Sequence, residues 1–282
     1  MDKICTKGGA LIPKLGFGTA DISGSVKDAV CCAIAAGHRL IDTAQVYGSE
    51  PGVGEAMAAS IKDGLVRRDD LFVQTKLAPE KGGYRETMDA FDASLNQLQT
   101  DYVDMFMFHW PVARGFEDTY RERNIETWRA MMALKAAGRV RYIGVCNFLE
   151  RHLLQLMESG ETPAANQLEL HPGFQQRGLV RFCRERGIAI EAWSPMGRGI
   201  LRTPAFDAMG TRYGKSTAQL ALRWSLQKGF IPLSRSSDAK HIAQNLDVLD
   251  FEISVEDMQK LDALNTCDGH MDIWSYKRQQ MY

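Results

Sequence analysis

The sequence predicts an α/β fold: a single parallel (β/α)8 barrel over residues 1–282, with an N-terminal β-hairpin and an extra C-terminal helix. Three observations carry this expectation. Short apolar, β-rich runs alternate with longer stretches of helical periodicity, the pattern that crossover helices impose on a parallel sheet. The alternation repeats eight times, and no Pro/Gly-rich linker divides it. A length of 282 residues also suits one such barrel, which typically takes about 250 residues.

Taken in order, Ile4-Cys5 and Leu11-Ile12 flank Lys7-Gly8-Gly9 and read as the hairpin. The eight strands are expected at Leu15 to Gly18, Leu40 to Asp42, Leu71 to Lys76, Val103 to His109, Val140 to Cys146, Ala165 to Leu170, Ile188 to Trp193 and Phe230 to Leu233. Helices are expected at Val26 to Ala36, Gly52 to Lys62, Arg85 to Leu98, Glu126 to Ala137, Arg151 to Glu158, Leu179 to Arg186, Thr217 to Gln227 and Ala239 to Leu246. Gly37, Gly138, Gly160, Gly187 and Gly229 follow five of them, where glycine takes the left-handed conformation that ends a helix. Gly210 to Ser216 resembles a phosphate-binding loop, but with three intervening residues instead of four and no strand before it. It reads as a loop entering the seventh helix. Val255 to Leu264 is the extra terminal helix.

Hydrophobic residues make up 45% of the chain and charged residues 24%, enough apolar material for a large core. Thirty-four Lys plus Arg against thirty-five Asp plus Glu leave a formal charge of -1, with no basic stripe for a nucleic acid. The first residues hold no apolar signal core, and no stretch approaches the roughly 20 apolar residues of a membrane span. A soluble, cytoplasmic protein with no nucleic-acid or membrane partner is expected. Six scattered cysteines, without a CxxC pair, read as reduced thiols. Cys267-Asp268-Gly269-His270 offers two metal ligands without a second pair nearby, so no metal is assigned and the segment reads as a solvated tail.

Active sites of such barrels lie at the carboxyl ends of the strands. There, Leu40-Ile41 ends in Asp42, Phe72 to Thr75 ends in Lys76, and Val103 to Phe108 ends in His109; Tyr47 lies in the loop after Asp42. Each alone has a bland reading as a cap, a solvated cation, a core histidine or loop packing. Together they bring an acid, a base, an imidazole and a phenol to one rim. A phenol with an ordinary pKa near 10 is a poor acid at neutral pH, and an adjacent ammonium lowers that value. Lys76 would be that cation, Asp42 would hold it, and His109 would hydrogen-bond a carbonyl oxygen. Isomerases and lyases use the same groups, so the electron source decides. Gly16-Phe17-Gly18, Gly52-Val53-Gly54 and Gly197-Arg198-Gly199 each lack the third glycine and βαβ context of a Rossmann fingerprint. No HExxH motif is present.

The chain resembles the aldo-keto reductase family, whose barrels bind NAD(P)H without a Rossmann fold. The resemblance spans nearly the whole chain and is carried by Gly37 to Ala44, Tyr47-Gly48, Glu50 and Val53-Gly54. It continues through Gln74-Thr75-Lys76-Leu77, Phe108-His109-Trp110-Pro111 and Ile143 to Phe148. It implies carbonyl reduction, a monomer, and Asp42, Tyr47, Lys76 and His109 as the catalytic set. By the same resemblance, Thr19 and Asp42 lie at the cofactor, Cys146, Asn147 and Gln167 hold the nicotinamide carboxamide, and Trp193 stacks on the ring. Ser194, Met196 and Arg198 approach the pyrophosphate, while Ser234, Arg235, His241, Gln244 and Asn245 lie toward the adenosine. The family's usual Ser and Tyr are here Cys146 and Trp193. Leu233 and His241 stand in place of the usual Lys and Arg, so NADPH is preferred and NADH stays open; Arg235, Ser236, Ser237 and Lys240 offer alternative 2'-phosphate contacts. Ala20, in place of the usual Trp, should open the substrate pocket formed with Tyr47, His109 and Trp110. A cofactor-binding but non-catalytic subunit, and a cofactor-independent isomerase or lyase, are the competing readings. The short segment from Asp268 resembles compact bacterial members that reduce keto sugars and small diketones.

Overall fold

The structure, a computed structural model, describes residues 3–199, 201 and 203–266. Lys3–Cys5 (β1) and Leu11–Pro13 (β2) pair antiparallel, with Ile4 opposite Ile12. Eight parallel strands follow: Gly16–Gly18 (β3), Leu40–Asp42 (β4), Phe72–Leu77 (β5), Val103–Phe108 (β6), Val140–Cys146 (β7), Ala165–Glu169 (β8), Ala189–Trp193 (β9) and Ile231–Ser234 (β10). They form a closed barrel, with β10 hydrogen-bonded to β3. The helices are Val26–Ala36 (α1), Glu50–Lys62 (α2), Tyr84–Leu98 (α3), Tyr120–Ala136 (α4), Glu150–Met157 (α5), Arg177–Arg186 (α6), Pro204–Tyr213 (α7), Thr217–Gln227 (α8), Ala239–Gln244 (α9) and Val255–Asp262 (α10).

Two elements differ from the sequence reading. Gly210 to Tyr213 form the last turn of α7, a helix where a loop was expected; Thr203 caps its start with Pro204 in the first turn, and Gly214 ends it at φ 64°. The amides a phosphate-binding loop would present are already used: Gly214 N donates to Thr211 O, and Lys215 N to Gly210 O. Helix α4 starts at Tyr120 instead of Glu126, because buried Tyr120 and Asn124 extend its inner face behind Arg121, Glu122 and Arg123. The Cys267 to His270 tail and the segment from Asp268 lie outside the described residues.

The two-residue period of the strands sorts their side chains. One set points outward, where Val73, Phe106, Ile143, Leu168 and Ile190 pack against helix residues such as Phe91, Trp128 and Trp224. The other set fills the barrel. At its amino-terminal end the filling is apolar, with Leu40, Phe72, Met105, Ala165 and Ile231, and the hairpin plugs that end with Ala10 and Ile12. Toward the carboxyl end the same faces turn polar: Leu40 gives way to Asp42, Phe72 to Gln74 and Lys76, Ala165 to Gln167, and Ala189 to Glu191. The period that builds the core thus delivers the polar groups to one mouth.

Candidate active site

Asp42 and Lys76 end up on neighbouring inward faces because β4 and β5 pair in register, with Asp42 opposite Gln74. Lys76 is fully buried, and its Nζ donates to Asp42 Oδ1 at 2.7 Å, Asp42 Oδ2 at 2.8 Å, Thr43 O at 3.1 Å and Tyr47 Oη at 3.3 Å. Burial alone would lower the Lys76 pKa, but the Asp42 carboxylate and Tyr47 outweigh it and hold the ammonium charged, well above its usual range.

Tyr47 ends a 3-10 turn, Gln45–Tyr47, that Gln45 pins from below. The Gln45 amide donates to Ala90 O at 2.9 Å and Ser94 Oγ at 2.8 Å, and its carbonyl accepts from Ala78 N at 2.7 Å. The phenol stands edge-on to His109, ring centroids 5.6 Å apart. Burial pushes the Tyr47 hydroxyl up to about 12, and the Lys76 ammonium offsets this only in part. The net direction is therefore opposite to the sequence argument, because desolvation of the phenolate exceeds the attraction of one cation. His109 is held well below the ordinary histidine range, by burial first and by Lys76 second, so the imidazole is neutral.

These groups open into a cavity of about 720 Å³ lined by Asp42, Tyr47, His109, Cys146, Asn147, Gln167, Trp193, Ser194 and Met196, with Ala20 and Trp110 on its walls. Asn147 sits at φ 64° after β7; its amide donates to His109 O at 3.2 Å and to Cys146 Sγ at 3.0 Å. Its Oδ1 accepts from Trp193 Nε1 at 3.0 Å. The Gln167 amide donates to Asp42 Oδ1 at 3.1 Å, leaving Gln167 Oε1 toward the Cys146 thiol at 3.8 Å. Burial pushes that thiol up, so it stays protonated.

At the other end of the cavity lie Leu233, Arg235 and the first residues of α8, Thr217 and Ala218. Arg235 Nη1 donates to Ala20 O at 2.8 Å and Asp21 O at 2.6 Å. The remaining expected residues lie off the lining. Thr19 is buried, with its hydroxyl donating to Asp42 O at 3.0 Å, so it supports the acid's backbone. Ser234 Oγ donates to Gly16 O at 3.4 Å. His241 is exposed beside Asp238, Gln244 O accepts from Gln219 Nε2 at 3.0 Å, and Asn245 is buried at the end of α9. The Arg198 side chain lies outside what the structure describes.

Sequence reasoning overlooked Gln74 and Glu191, both fully buried beneath Asp42. A usable signal existed: each is a long polar residue inside an otherwise apolar strand run, Phe72-Val73-Gln74 and Ile190-Glu191-Ala192.

The residues present fit a nicotinamide dinucleotide: an aromatic face, buried amide groups and a reactive rim at one end, and an arginine with a helix amino terminus at the other. The chain matches the Aldo/keto reductase family over residues 14–266. It belongs to that family. Among aldo/keto reductases and their relatives, a glyoxal reductase of Bacillus subtilis (strain 168) is 39% identical over 268 residues, covering 94% of this chain and 93% of its own. An uncharacterized oxidoreductase of the same organism is 41% identical over 261 residues, covering 91% and 90%. The crystal structure of a Bombyx mori aldo-keto reductase in complex with NADP superposes with a TM-score of 0.88 at 35% identity, covering 98% of this chain and 96% of that one. An aldo/keto reductase from Brucella melitensis gives 0.87 at 42% identity, covering 93% and 97%. The barrel of this chain is thus an aldo/keto reductase barrel, and its activity class is carbonyl oxidoreduction. Among the described residues no helix is long and apolar enough to cross a membrane, and no cluster of His, Cys, Asp or Glu could hold a metal.

Proposed function

We propose that this aldo/keto reductase reduces an aldehyde or ketone to an alcohol with NADPH, and that Tyr47 is the general acid. The observation that carries the reading is the fully buried Lys76 ammonium set between the Asp42 carboxylate and the Tyr47 hydroxyl. A bound nicotinamide supplies the hydride. The chain's own groups manage the proton. Burial keeps the phenol protonated at neutral pH, so the acid is loaded before the reaction. As the proton leaves for the substrate oxygen, the developing phenolate faces an ammonium 3.3 Å away, an interaction stronger in the transition state than before it. Neutral His109 can direct an N–H at the same oxygen, while Ala20 and Trp110 bound the space for the rest of the substrate.

Trp193 would support the nicotinamide ring, and Cys146, Asn147 and Gln167 its carboxamide, with Ser194 and Met196 beyond. Of the residues expected at the adenosine, Arg235 lines the cavity. One of its nitrogens is spent on Ala20 and Asp21, and its fork can still meet a phosphate, which favours NADPH. Likeness to a glyoxal reductase supports small aldehydes and dicarbonyls as first substrates.

The test is oxidation of NADPH and NADH with a panel of aldehydes, ketones and dicarbonyls, repeated with Tyr47→Phe. Expected is a preference for NADPH and a fall in kcat of about 10²–10⁴-fold in the variant, the range for losing a positioned general acid. Dinucleotide affinity, read by calorimetry, should stay within about twofold, since removing one hydroxyl takes no contact from the dinucleotide. Unchanged turnover would remove Tyr47 from the mechanism.

A further inference from the structure

Beneath the reacting groups lies a closed ring of four hydrogen bonds. Gln74 Nε2 donates to Asp42 Oδ1 at 2.8 Å and to Glu191 Oε2 at 2.7 Å. Gln167 Nε2 donates to the same two oxygens, at 3.1 Å and 2.8 Å. Within the ring each of the two carboxylate oxygens accepts twice, Asp42 Oδ1 taking Lys76 Nζ as well, and both amides spend their two N–H groups inward. An amide has one donating and one accepting end, so this ring fixes which end is left over. For Gln167 that is Oε1, the atom turned toward the cavity side at Cys146. Flipping Gln167 would set its carbonyl against the accepting oxygens of Asp42 and Glu191 together, replacing two hydrogen bonds with two oxygen–oxygen contacts.

We infer that Glu191, closed into the ring by Gln74, is a positioning residue that locks Gln167 with its carbonyl outward, as the acceptor for the N–H donors of the cofactor's carboxamide. The inference rests on the dinucleotide reading above. Of the two carboxylate contacts of the Gln167 amide, the one to Glu191 is the shorter, and a third, to Met107 Sδ, is long at 3.6 Å. The protonation of this carboxyl leaves the ring intact. Burial first, and Asp42 second, raise Glu191 to about 7. Its Oε1 has no hydrogen-bond partner among the described residues, so a proton there leaves Oε2 accepting.

The experiment compares the affinity of the full-length protein for NADP+ and for its 3-acetylpyridine analogue, which keeps the ring and carbonyl but lacks the amide N–H donors. Calorimetry reads both. The wild type should favour NADP+ by about fivefold to tenfold, the loss of one neutral hydrogen bond to a carbonyl that then keeps only the weak Cys146 thiol donor. Glu191→Met, which keeps the length and removes the acceptors, should reduce that preference below about threefold, whereas Glu191→Gln, which keeps an accepting oxygen, should retain it. Gln74→Met, which opens the ring on the other side, should also reduce it and serves as the test if Glu191→Met does not fold. A preference unchanged in the methionine variants, or lost equally in Glu191→Gln, overturns the inference while leaving the reductase reading intact. A wild type that binds neither dinucleotide overturns both.

Discussion

Trp193 shows how one substitution from the family's usual tyrosine can be absorbed. Its indole N–H donates to Asn147 Oδ1, so the residue read as an aromatic platform also orients the amide beside it. Asn147 holds a left-handed backbone conformation at φ 64°, a cost of about 1–3 kcal/mol that its surroundings must offset. Trp193→Phe keeps a ring face and removes the donor. Dinucleotide affinity measured by calorimetry should fall about fivefold, the loss of one neutral hydrogen bond of about 1 kcal/mol. Trp193→Phe with unaltered affinity would reduce the indole nitrogen to a bystander. Trp193 was reached through the family resemblance, whereas the positions of Asp42, Lys76 and His109 were legible in the sequence because each ends an apolar run. The Trp193–Asn147 bond was not, since it depends on how far β7 and β9 bring their ends together across β8.

At the scale of elements, α2 lies so close to α3 that Gly54 has backbone for a neighbour. A Cβ there would come within 2.5 Å of Gln97 O and 2.7 Å of Leu98 C. In an exposed helix, Gly→Ala gains about 1 kcal/mol; here the sign should reverse, with Gly54→Ala costing about 1–3 kcal/mol through forced separation of the helices. Thermal unfolding should show a melting temperature lower by several degrees, and a rise instead would mean that α2 shifts freely. Activity should fall along with stability, because α2 also carries Glu50, whose buried carboxylate accepts from Thr75 Oγ1 at 2.6 Å beside Lys76. The alternation of strands and helices was legible because parallel strands buried on both faces read as apolar runs. Helix α7 was not: its Thr203-Pro204 start resembles any turn, and Gly210 and Gly214 near its end mimic a loop. Gln74 and Glu191 escaped for a related reason, since linking them needs the register of four strands.

For the whole molecule, the hidden ionisable groups set a pH profile. His38 is buried between Phe17 and α9, where its ring Nε2–H donates to Ile242 O, 3.4 Å away. Burial holds its pKa down to about 4. An unfolded chain binds a proton at His38 near pH 6.5, so between these values unfolding takes up a proton and stability falls as pH drops, by about 2 kcal/mol at pH 5. Glu191 acts with the opposite sign: its folded value near 7 lies above the 4.5 of an unperturbed glutamate, so its contribution is complete below about 4.5 and declines as pH rises to about 7. His38→Gln should therefore flatten the rise in denaturant-measured stability from pH 5 to pH 7 by about 2 kcal/mol relative to the wild type; equal slopes would place the titration elsewhere. The barrel is closed where β10 meets β3, through two register pairs, Leu233 with Gly16 and Ser234 with Phe17. Arg235 and Ser237 bridge the same seam to Ala20, Asp21 and Ser23. This seam joins the first barrel strand to the last, and the cavity draws Gly18 and Ala20 from one side of it and Leu233 and Arg235 from the other. A ligand bound across this seam holds the two ends of the barrel together and so stabilises the closed form over the open one.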